Sequence, residues 1–225
     1  MTPALRQTWQ VFLRGTRTLM RQPAYLLITV VQPVVWLLLF GAGWSGMAFV
    51  DDINNGVMDR MLTSPVWRGA LNVGWVAYEA AVVMVQTVLI VILALLLGAD
   101  FKGGVIGVIL MFFVGALLAS SVASLSNAVG VLGRQRETVI GTVSFFQLPL
   151  TFLSTGMMQR SLLPHWIQTA AKYNPVNWAV EAARAAAMQK TDWSIVGTRI
   201  GMLAGLAVFS AFVASRAFAR YQRSL

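Results

Sequence analysis

The fold is decided by two apolar runs, VGWVAYEAAVVMVQTVLIVILALLLG (Val73–Gly98) and VIGVILMFFVGALLASSVASLSNAVGVL (Val105–Leu132), which are joined by ADFKGG (Ala99–Gly104). An α-helix needs about 20 predominantly apolar residues to cross the hydrocarbon core of a bilayer. Each run exceeds that length and contains almost no charge. We therefore predict two successive membrane-spanning helices with a short polar connection between them.

The rest of the chain extends this pattern. Of its 225 residues, 57% are hydrophobic and 11% are charged, whereas a soluble domain has about 25% charged residues. The runs Val139–Met158 and Ile195–Ala214 are also predicted to span the membrane. Tyr25–Val50 is long enough for one tilted crossing or a short hairpin, but two full crossings need about 40 residues. We predict an all-α, polytopic transmembrane helical bundle with five to six membrane segments.

Basic residues indicate how the segments are arranged. Residues 1–24 form a basic arm with the spacing of an amphipathic interfacial helix, in which Arg14, Arg17 and Arg21 would face the lipid headgroups. The net charge of +9 comes largely from arginines that flank apolar runs, which argues against nucleic-acid binding. The charge rule favours a topology in which four parts of the chain face the cytoplasm: the arm, residues 51–72, residues 133–138 and the C-terminal tail. This topology places one more basic residue on the cytoplasmic side than five plain crossings do.

Several classes of function are excluded by missing residues. Cysteine is absent, and the single histidine, His165, is predicted to be a surface residue and not a metal ligand. The chain has no G-x-x-x-x-G-K-[ST] phosphate loop, so ATP binding by that route is not expected. Hydrolase and metalloprotease motifs are missing as well. We therefore expect neither an enzyme nor a bound cofactor.

The segment DDINNGVMDRMLTSPVWRG (Asp51–Gly69) cannot sit in lipid, because it carries three acidic residues and ends in a Ser64-Pro65 break. Its apolar residues fall near one face of a helix, with polar residues elsewhere. From this spacing alone, the segment is either a connector that rests on the headgroups or an element that docks on a soluble partner.

Polar residues inside the apolar runs are candidates for function, because burying them in a membrane is costly. Glu79 and Gln86 lie in the run Val73–Gly98, and Gln147 lies in the run Val139–Met158. Pro149 follows Gln147 by two residues, and we expect it to kink its helix. We favour a structural role for Glu79 near the membrane interface. Gln147 would either hydrogen-bond between helices or line a substrate path.

The segment at residues 159–194 is predicted to hold two short interfacial helices separated by Asn174 and Pro175. Glu181 and Arg184 stand three residues apart and would pair on the second of them. In the last span, Gly197, Gly201 and Gly205 recur every four residues, a spacing that lets helices approach closely. Packing within the subunit is favoured there over a dimer contact.

Four stretches, in order, resemble the membrane permease of type-2 ABC exporters, the family that includes daunorubicin-resistance and nodulation-factor export permeases. These stretches resemble the family's first span, its acidic segment ending in Ser-Pro, its second cytoplasmic turn and its Asn-Pro motif before the last span. The stretches are LMRQPAYLLITVVQPVVWLLLFG (Leu19–Gly41), DDINNGVMDRMLTSPVWRGAL (Asp51–Leu71), GRQRET (Gly133–Thr138) and YNPVNWAVEAARAA (Tyr173–Ala186).

The resemblance implies a subunit of the plasma (inner) membrane that pairs with a second permease, as a homodimer or heterodimer, above two separate ATPase subunits that carry ATP and Mg. It implies export of a drug, a lipid or a lipid-linked glycan. The ATPase contact would be the acidic segment, through Asp51, Asp52, Asp59, Arg60, Thr63, Ser64 and Pro65. The segment at residues 159–194 would lie on the outer side, and the basic arm near the ATPase.

The chain differs from the family after Gly41, where about 30 residues of an outer loop and second span are missing. We expect one transmembrane domain over residues 1–225, comprising the arm and a first span or hairpin (25–50), the coupling segment (51–72), three spans (73–158), the outer helices and a last span with a basic tail (195–225). The alternatives are a secondary transporter or channel, and a non-transporting scaffold derived from the family.

Overall fold

The computed structural model of the chain describes residues 41–58, 60, 69–96, 102–156, 162–188 and 192–222. All regular structure within these residues is helical, which confirms the predicted all-α fold. We number the helices α1 (41–54), α2 (Gly69–Leu96), α3 (Gly104–Gly133), α4 (Arg136–Phe152), α5 (His165–Ala171), α6 (Pro175–Ala187) and α7 (Trp193–Gln222).

Three of the described helices are long and apolar enough to cross a membrane. They cover Val73–Leu96, Gly104–Gly133 and Trp193–Tyr221, and they confirm three of the predicted spans. The last helix continues past its predicted end at Ala214, and its last turn holds Arg220, where a basic side chain is favourable.

The fourth predicted span, Val139–Met158, is shorter than expected. Helix α4 has 17 residues, which correspond to about 26 Å, and it ends three residues after Pro149. Leu153 N donates to the Pro149 carbonyl at 2.8 Å, and Ser154 N donates to the Thr151 carbonyl at 3.3 Å, so the chain turns there. Pro149 therefore lies inside the helix, one turn before its end, and the predicted kink there stays a prediction.

Helix α3 is the centre of the bundle, and it packs against α2, α4, α6 and α7. The contacts depend on small residues, since Ala119 and Ala123 pack with Ala42 and Val83, and Ala128 packs with two alanines of α7. Small side chains let helix backbones approach closely in membranes, where van der Waals contact contributes more than the hydrophobic effect.

The predicted break at Asn174–Pro175 is confirmed, and helices α5 and α6 flank it. The Asn174 side chain accepts a hydrogen bond from Val176 N at 2.9 Å, which caps α6, and it also donates to the Leu150 carbonyl at 2.6 Å. Pro175 occupies the first turn, where its missing N–H does no harm.

Helix α6 is buried more deeply in the bundle than the interfacial helix predicted for this segment. Its last residues contact the start of α3 at Gly103 and Gly107, and its first turns pack against Val114 and Leu118. The helix therefore runs from one end of the bundle to about the middle of α3. Its alanine face, at Ala179, Ala182, Ala185 and Ala186, explains this position, because it is buried against α3 and α7.

The bundle has two ends, which we name after residues found there. The Asp51 end holds the end of α1, the start of α2, the turn between α3 and α4, and the end of α7. The Gly103 end holds the end of α2, the start of α3, the end of α6 and the start of α7.

Candidate coupling site

The Asp51 end contains an ion pair between segments far apart in sequence. The Arg136 Nε atom donates to Asp51 Oδ1 at 2.8 Å, and the Arg136 Nη2 atom contacts the same oxygen. The side chains are 57% and 38% exposed, so the pair is accessible from solution. It joins the acidic segment to the turn between α3 and α4, two stretches predicted to face the same side of the membrane.

An aromatic cluster lies beside this ion pair. Its buried members are Phe49, Met58, Val131, Phe218 and Tyr221, and Trp75 packs against them. The Phe49 ring centroid lies 5.0 Å from that of Phe218 and 5.6 Å from that of Trp75. The cluster therefore links α1, α2, α3 and α7 at the end of the bundle that carries the acidic segment.

The turn between α3 and α4 has an unusual backbone. Arg134 has φ of 53°, in the left-handed region that non-glycine residues seldom adopt, and its N–H donates to the Gly130 carbonyl at 3.0 Å. Its guanidinium lies 4.7 Å from the centre of the Tyr221 ring. This cation–π contact helps to hold the turn against the end of α7.

Local electrostatics distinguish the two adjacent carboxylates. Burial and then the neighbouring charge of Asp51 raise the pKa of Asp52 above its ordinary value. The hydrogen bond to Asp51 and its charge raise the pKa of Arg136. Asp51 therefore has a partner within the subunit, whereas the charge on Asp52 is unfavourable in this structure.

The acidic segment is not one continuous helix, contrary to the helical pattern predicted for it. Gly56 has φ of 67°, and Gly56 N donates to the Ile53 carbonyl at 3.1 Å. A turn at Asn55–Gly56 separates α1 from a short helical stretch that includes Met58 and Arg60. The dipeptide Asn-Gly, a strong turn signal, was available in the sequence.

The predicted contact residues are only partly described. Asp51 and Asp52 are half-buried and Arg60 is exposed. Outside the described residues lie Asp59, Thr63, Ser64, Pro65, Arg14, Arg17 and Arg21. The structure also adds residues to which sequence analysis assigned no role, namely Phe49, Arg134, Arg136, Phe218 and Tyr221.

The intramembrane polar residues differ in their surroundings. Glu79 is only 7% exposed and faces the interior of the bundle, and its predicted position near the membrane interface stays a prediction. Gln147 is buried, and neither atom of its amide has a hydrogen-bond partner among the described residues. Of the two alternatives for Gln147, the hydrogen bond between helices is not observed among the described residues, and the place on a substrate path stays a prediction. Gln86 is half-buried.

A second polar network connects α6, α7 and the segment after α4. The Glu181 carboxylate pairs with Arg199 at 2.8 Å and accepts from Asn177 Nδ2 at 3.0 Å. Asn177 Oδ1 in turn accepts from the backbone N–H and the hydroxyl of Thr155. These long-range partners have no local signal in the sequence.

The predicted pairing of Glu181 with Arg184 is wrong. The Arg184 guanidinium donates to the Thr155 carbonyl at 2.6 Å, and Glu181 faces Arg199 on α7. Burial lowers the pKa of Arg184, and the charge of Glu181 partly opposes this. Glu181 therefore joins two helices instead of stabilising one.

The glycines of α7 do not serve the predicted packing. A Cβ atom built at Gly197, Gly201 or Gly205 would meet no described atom within 4 Å, and all three residues are exposed. Close approach occurs elsewhere, between Gly46 and Gly130 and at Gly103.

His165 is exposed, as predicted. Among the described residues, no three acidic or histidine side chains gather as a metal site requires.

Known proteins resemble the chain in sequence. The chain is 32% identical over 187 residues to the daunorubicin resistance ABC transporter permease protein DrrB1 of Streptomyces coeruleorubidus, covering 83% of this chain and 65% of the relative. It is 28% identical over 186 residues to a probable doxorubicin resistance ABC transporter permease protein, DrrC, of Mycobacterium tuberculosis, covering 79% and 66%. The chain thus spans slightly less than two thirds of the length of these relatives.

A third relative is the putative transport permease ycf38 of Porphyra purpurea, which is 24% identical and covers 87% of this chain and 82% of the relative. That alignment extends over 242 positions, more than the 225 residues of this chain, so the relative has residues that this chain lacks. No solved structure matches the chain. The sequence model of the ABC-2 type transporter matches residues 42–188, and the chain belongs to the ABC-2 type transporter family.

Proposed function

We propose that this chain is the permease subunit of an ATP-driven exporter and that a separate ATPase subunit binds at the Asp51 end. The Asp51–Arg136 ion pair supports this proposal most directly, because it joins the acidic segment to the turn between α3 and α4. The matched relatives are named as transport permeases or as ABC transporter permeases of drug resistance. ATP and Mg would be held by the ATPase, since this chain has no phosphate loop.

Coupling would be mechanical. When the ATPase subunits close on ATP, they would displace the acidic segment and the end of α1. The ion pair would transmit that motion to the turn before α4, and the Phe49–Phe218 contact would transmit it to α7. Such a motion changes the balance between inward- and outward-facing states only through the difference in ATP affinity between them. No side chain of this subunit takes part in covalent chemistry.

The cargo is proposed to be hydrophobic or amphipathic, in the class of drugs, lipids and lipid-linked glycans. Two relatives are named for resistance to daunorubicin and doxorubicin, which favours a drug. The exporter would act in the plasma membrane as a pair of permease subunits, with the basic arm on the lipid headgroups.

Affinity purification of the tagged chain from its native membranes, followed by an ATPase assay, tests this function. We expect ATP hydrolysis to co-purify with the chain and to fall at least fivefold in the double variant Asp59→Ala, Arg60→Ala. The control is Asp192→Asn at the Gly103 end, where asparagine can replace aspartate as the cap of α7. A chain that purifies alone and never stimulates ATP hydrolysis would instead favour a channel or a scaffold.

A further inference from the structure

Glu79 is the one acidic residue within the three described helices that are long enough to span a membrane. Its side chain is 7% exposed, and its carboxylate has no hydrogen bond or ion pair with any described residue. The carboxylate lies about 9 Å along the apolar part of α2, six residues after Val73. A charge in that position is unfavourable unless a partner arrives to compensate it.

The neighbours of Glu79 follow from contacts on either side of it. Trp75, Glu79 and Val83 are four residues apart, so they share one face of α2. Trp75 contacts Phe49, and Val83 packs with Ala42. By interpolation between those two contacts, we place the part of α1 at Ser45 and Gly46 nearest to Glu79.

The polar groups of α1 and α3 at this level are already committed. The Ser45 hydroxyl donates to Asn127 Oδ1 at 2.6 Å. Gly46 N donates to the Ser126 hydroxyl at 3.1 Å, and that hydroxyl donates to the Gly43 carbonyl. Since the Ser45 hydroxyl uses its one hydrogen in the bond to Asn127, its oxygen can take part in another hydrogen bond only as an acceptor.

An ionised Glu79 carboxylate can only accept hydrogen bonds, and no described residue donates one to it. The group that complements this carboxylate carries positive charge and N–H donors. We propose that Glu79 is the counter-charge for a protonated amine on the cargo, at the junction of α1, α2 and α3. This inference rests on the proposed export function and adds that the cargo is an organic cation.

Binding of two matched fluorescent probes tests the inference. The probes are dansylcadaverine, whose primary amine is protonated, and its neutral N-acetyl derivative. Binding is measured on the purified transporter complex in nanodiscs of phosphatidylcholine. We expect the native complex to bind the cation about tenfold more tightly than the neutral probe, a difference of about 1.4 kcal/mol.

The variants separate charge recognition from a structural role. Glu79→Gln should abolish the preference for the cation while leaving affinity for the neutral probe unchanged, and Glu79→Asp should retain the preference. The inference is overturned if Glu79→Gln weakens the binding of both probes equally or leaves the preference for the cation intact. It is also overturned if the native complex shows no preference for the cation. Co-purification of the ATPase is measured on the same samples, and its absence from the native complex would count against the proposed function instead.

Discussion

The two ends of the bundle are held together by different means. At the Asp51 end, long side chains meet, in an ion pair, a cation–π contact and a group of aromatic rings. Backbones meet there as well, since a Cβ atom at Gly130 would overlap the Gly46 carbonyl. At the Gly103 end, backbones meet, since Cβ atoms at Gly103 and Gly107 would overlap the Ala186 carbonyl. Side-chain contacts can break and form again with little backbone change, whereas close backbone contacts cannot adjust. We infer that the side chains of the Asp51 end can rearrange while the glycine contacts at both ends stay fixed.

The largest effect is expected from adding one methyl group at the Gly103 end. Gly107→Ala should destabilise the protein by about 1–3 kcal/mol, because the new Cβ would overlap backbone atoms of α6 that cannot move aside. The matched control is Gly201→Ala on the open face of α7, where alanine should leave stability unchanged or raise it by up to about 1 kcal/mol through helix propensity. Thermal unfolding of the two variants in detergent measures the difference, and equal melting temperatures would contradict a close backbone contact at Gly107.

The next effect concerns the network that joins α6 to α7. Arg199→Gln should destabilise the protein by about 1–2 kcal/mol, because it leaves the partly buried Glu181 carboxylate without its ion-pair partner. Adding Glu181→Gln should recover part of that loss, since no charge then lacks a partner. A double-mutant cycle based on unfolding free energies gives the coupling. The cycle of Glu181 with Arg184 should show a smaller coupling energy than the cycle of Glu181 with Arg199. A larger coupling energy for Glu181 with Arg184 would support the pairing predicted from sequence.

The ion pair at the Asp51 end should affect function more than stability. Asp51→Asn and Arg136→Gln should each change stability little, because both side chains are exposed. Each should also reduce cargo-stimulated ATP hydrolysis, since the acidic segment loses its connection to α4. The charge-exchanged double variant Asp51→Arg, Arg136→Asp should recover that stimulation. Failure of the exchange to recover any stimulation would remove the ion pair from the coupling mechanism.

The smallest effect is expected at Asp52. Because the fold raises the pKa of Asp52, the folded protein binds its proton more readily than the unfolded chain does. The protonated form therefore favours folding at low pH, and this stabilisation is lost as the pH rises through the folded pKa. At neutral pH, Asp52→Asn should raise stability by up to about 0.5 kcal/mol, a small value because the side chain is only partly buried and solvent screens its charge.

A melting-temperature profile against pH checks the sign of this effect, since the advantage of Asp52→Asn should shrink as the pH falls toward the ordinary value of 3.8. If the same variant also weakens the association of the ATPase, Asp52 carries an unfavourable charge that the partner requires. An advantage that increases at low pH would contradict the assigned shift.

The features that sequence analysis predicted correctly are those set by neighbouring residues. The three long spans follow from the length of apolar runs, and the break at Asn174–Pro175 follows from a capping residue and a proline. The errors concern partners that lie far apart in the chain. Glu181 pairs with Arg199 because α6 packs against α7, and no spacing rule within α6 contains that information.

The candidate site was predictable in outline only. The acidic segment and the turn at residues 133–138 were both identified, but the contact between Asp51 and Arg136 depends on how α1 and α3 pack. The end of α4 shortly after Pro149 is a different case, because a proline inside a helix can either bend it or end it. Here the turn at residues 153–156 decides the outcome, and its contacts with Asn177 and Arg184 are long-range.

The side chain of Asn174 restricts which residue that position can hold. Its oxygen accepts from the first turn of α6, and its nitrogen donates to the carbonyl of Leu150 near the end of α4. One primary amide thus satisfies two helix ends at once. Aspartate would bring a second acceptor to the Leu150 carbonyl, and serine would be too short to reach both. Among the common capping residues, asparagine alone supplies a donor and an acceptor at that length.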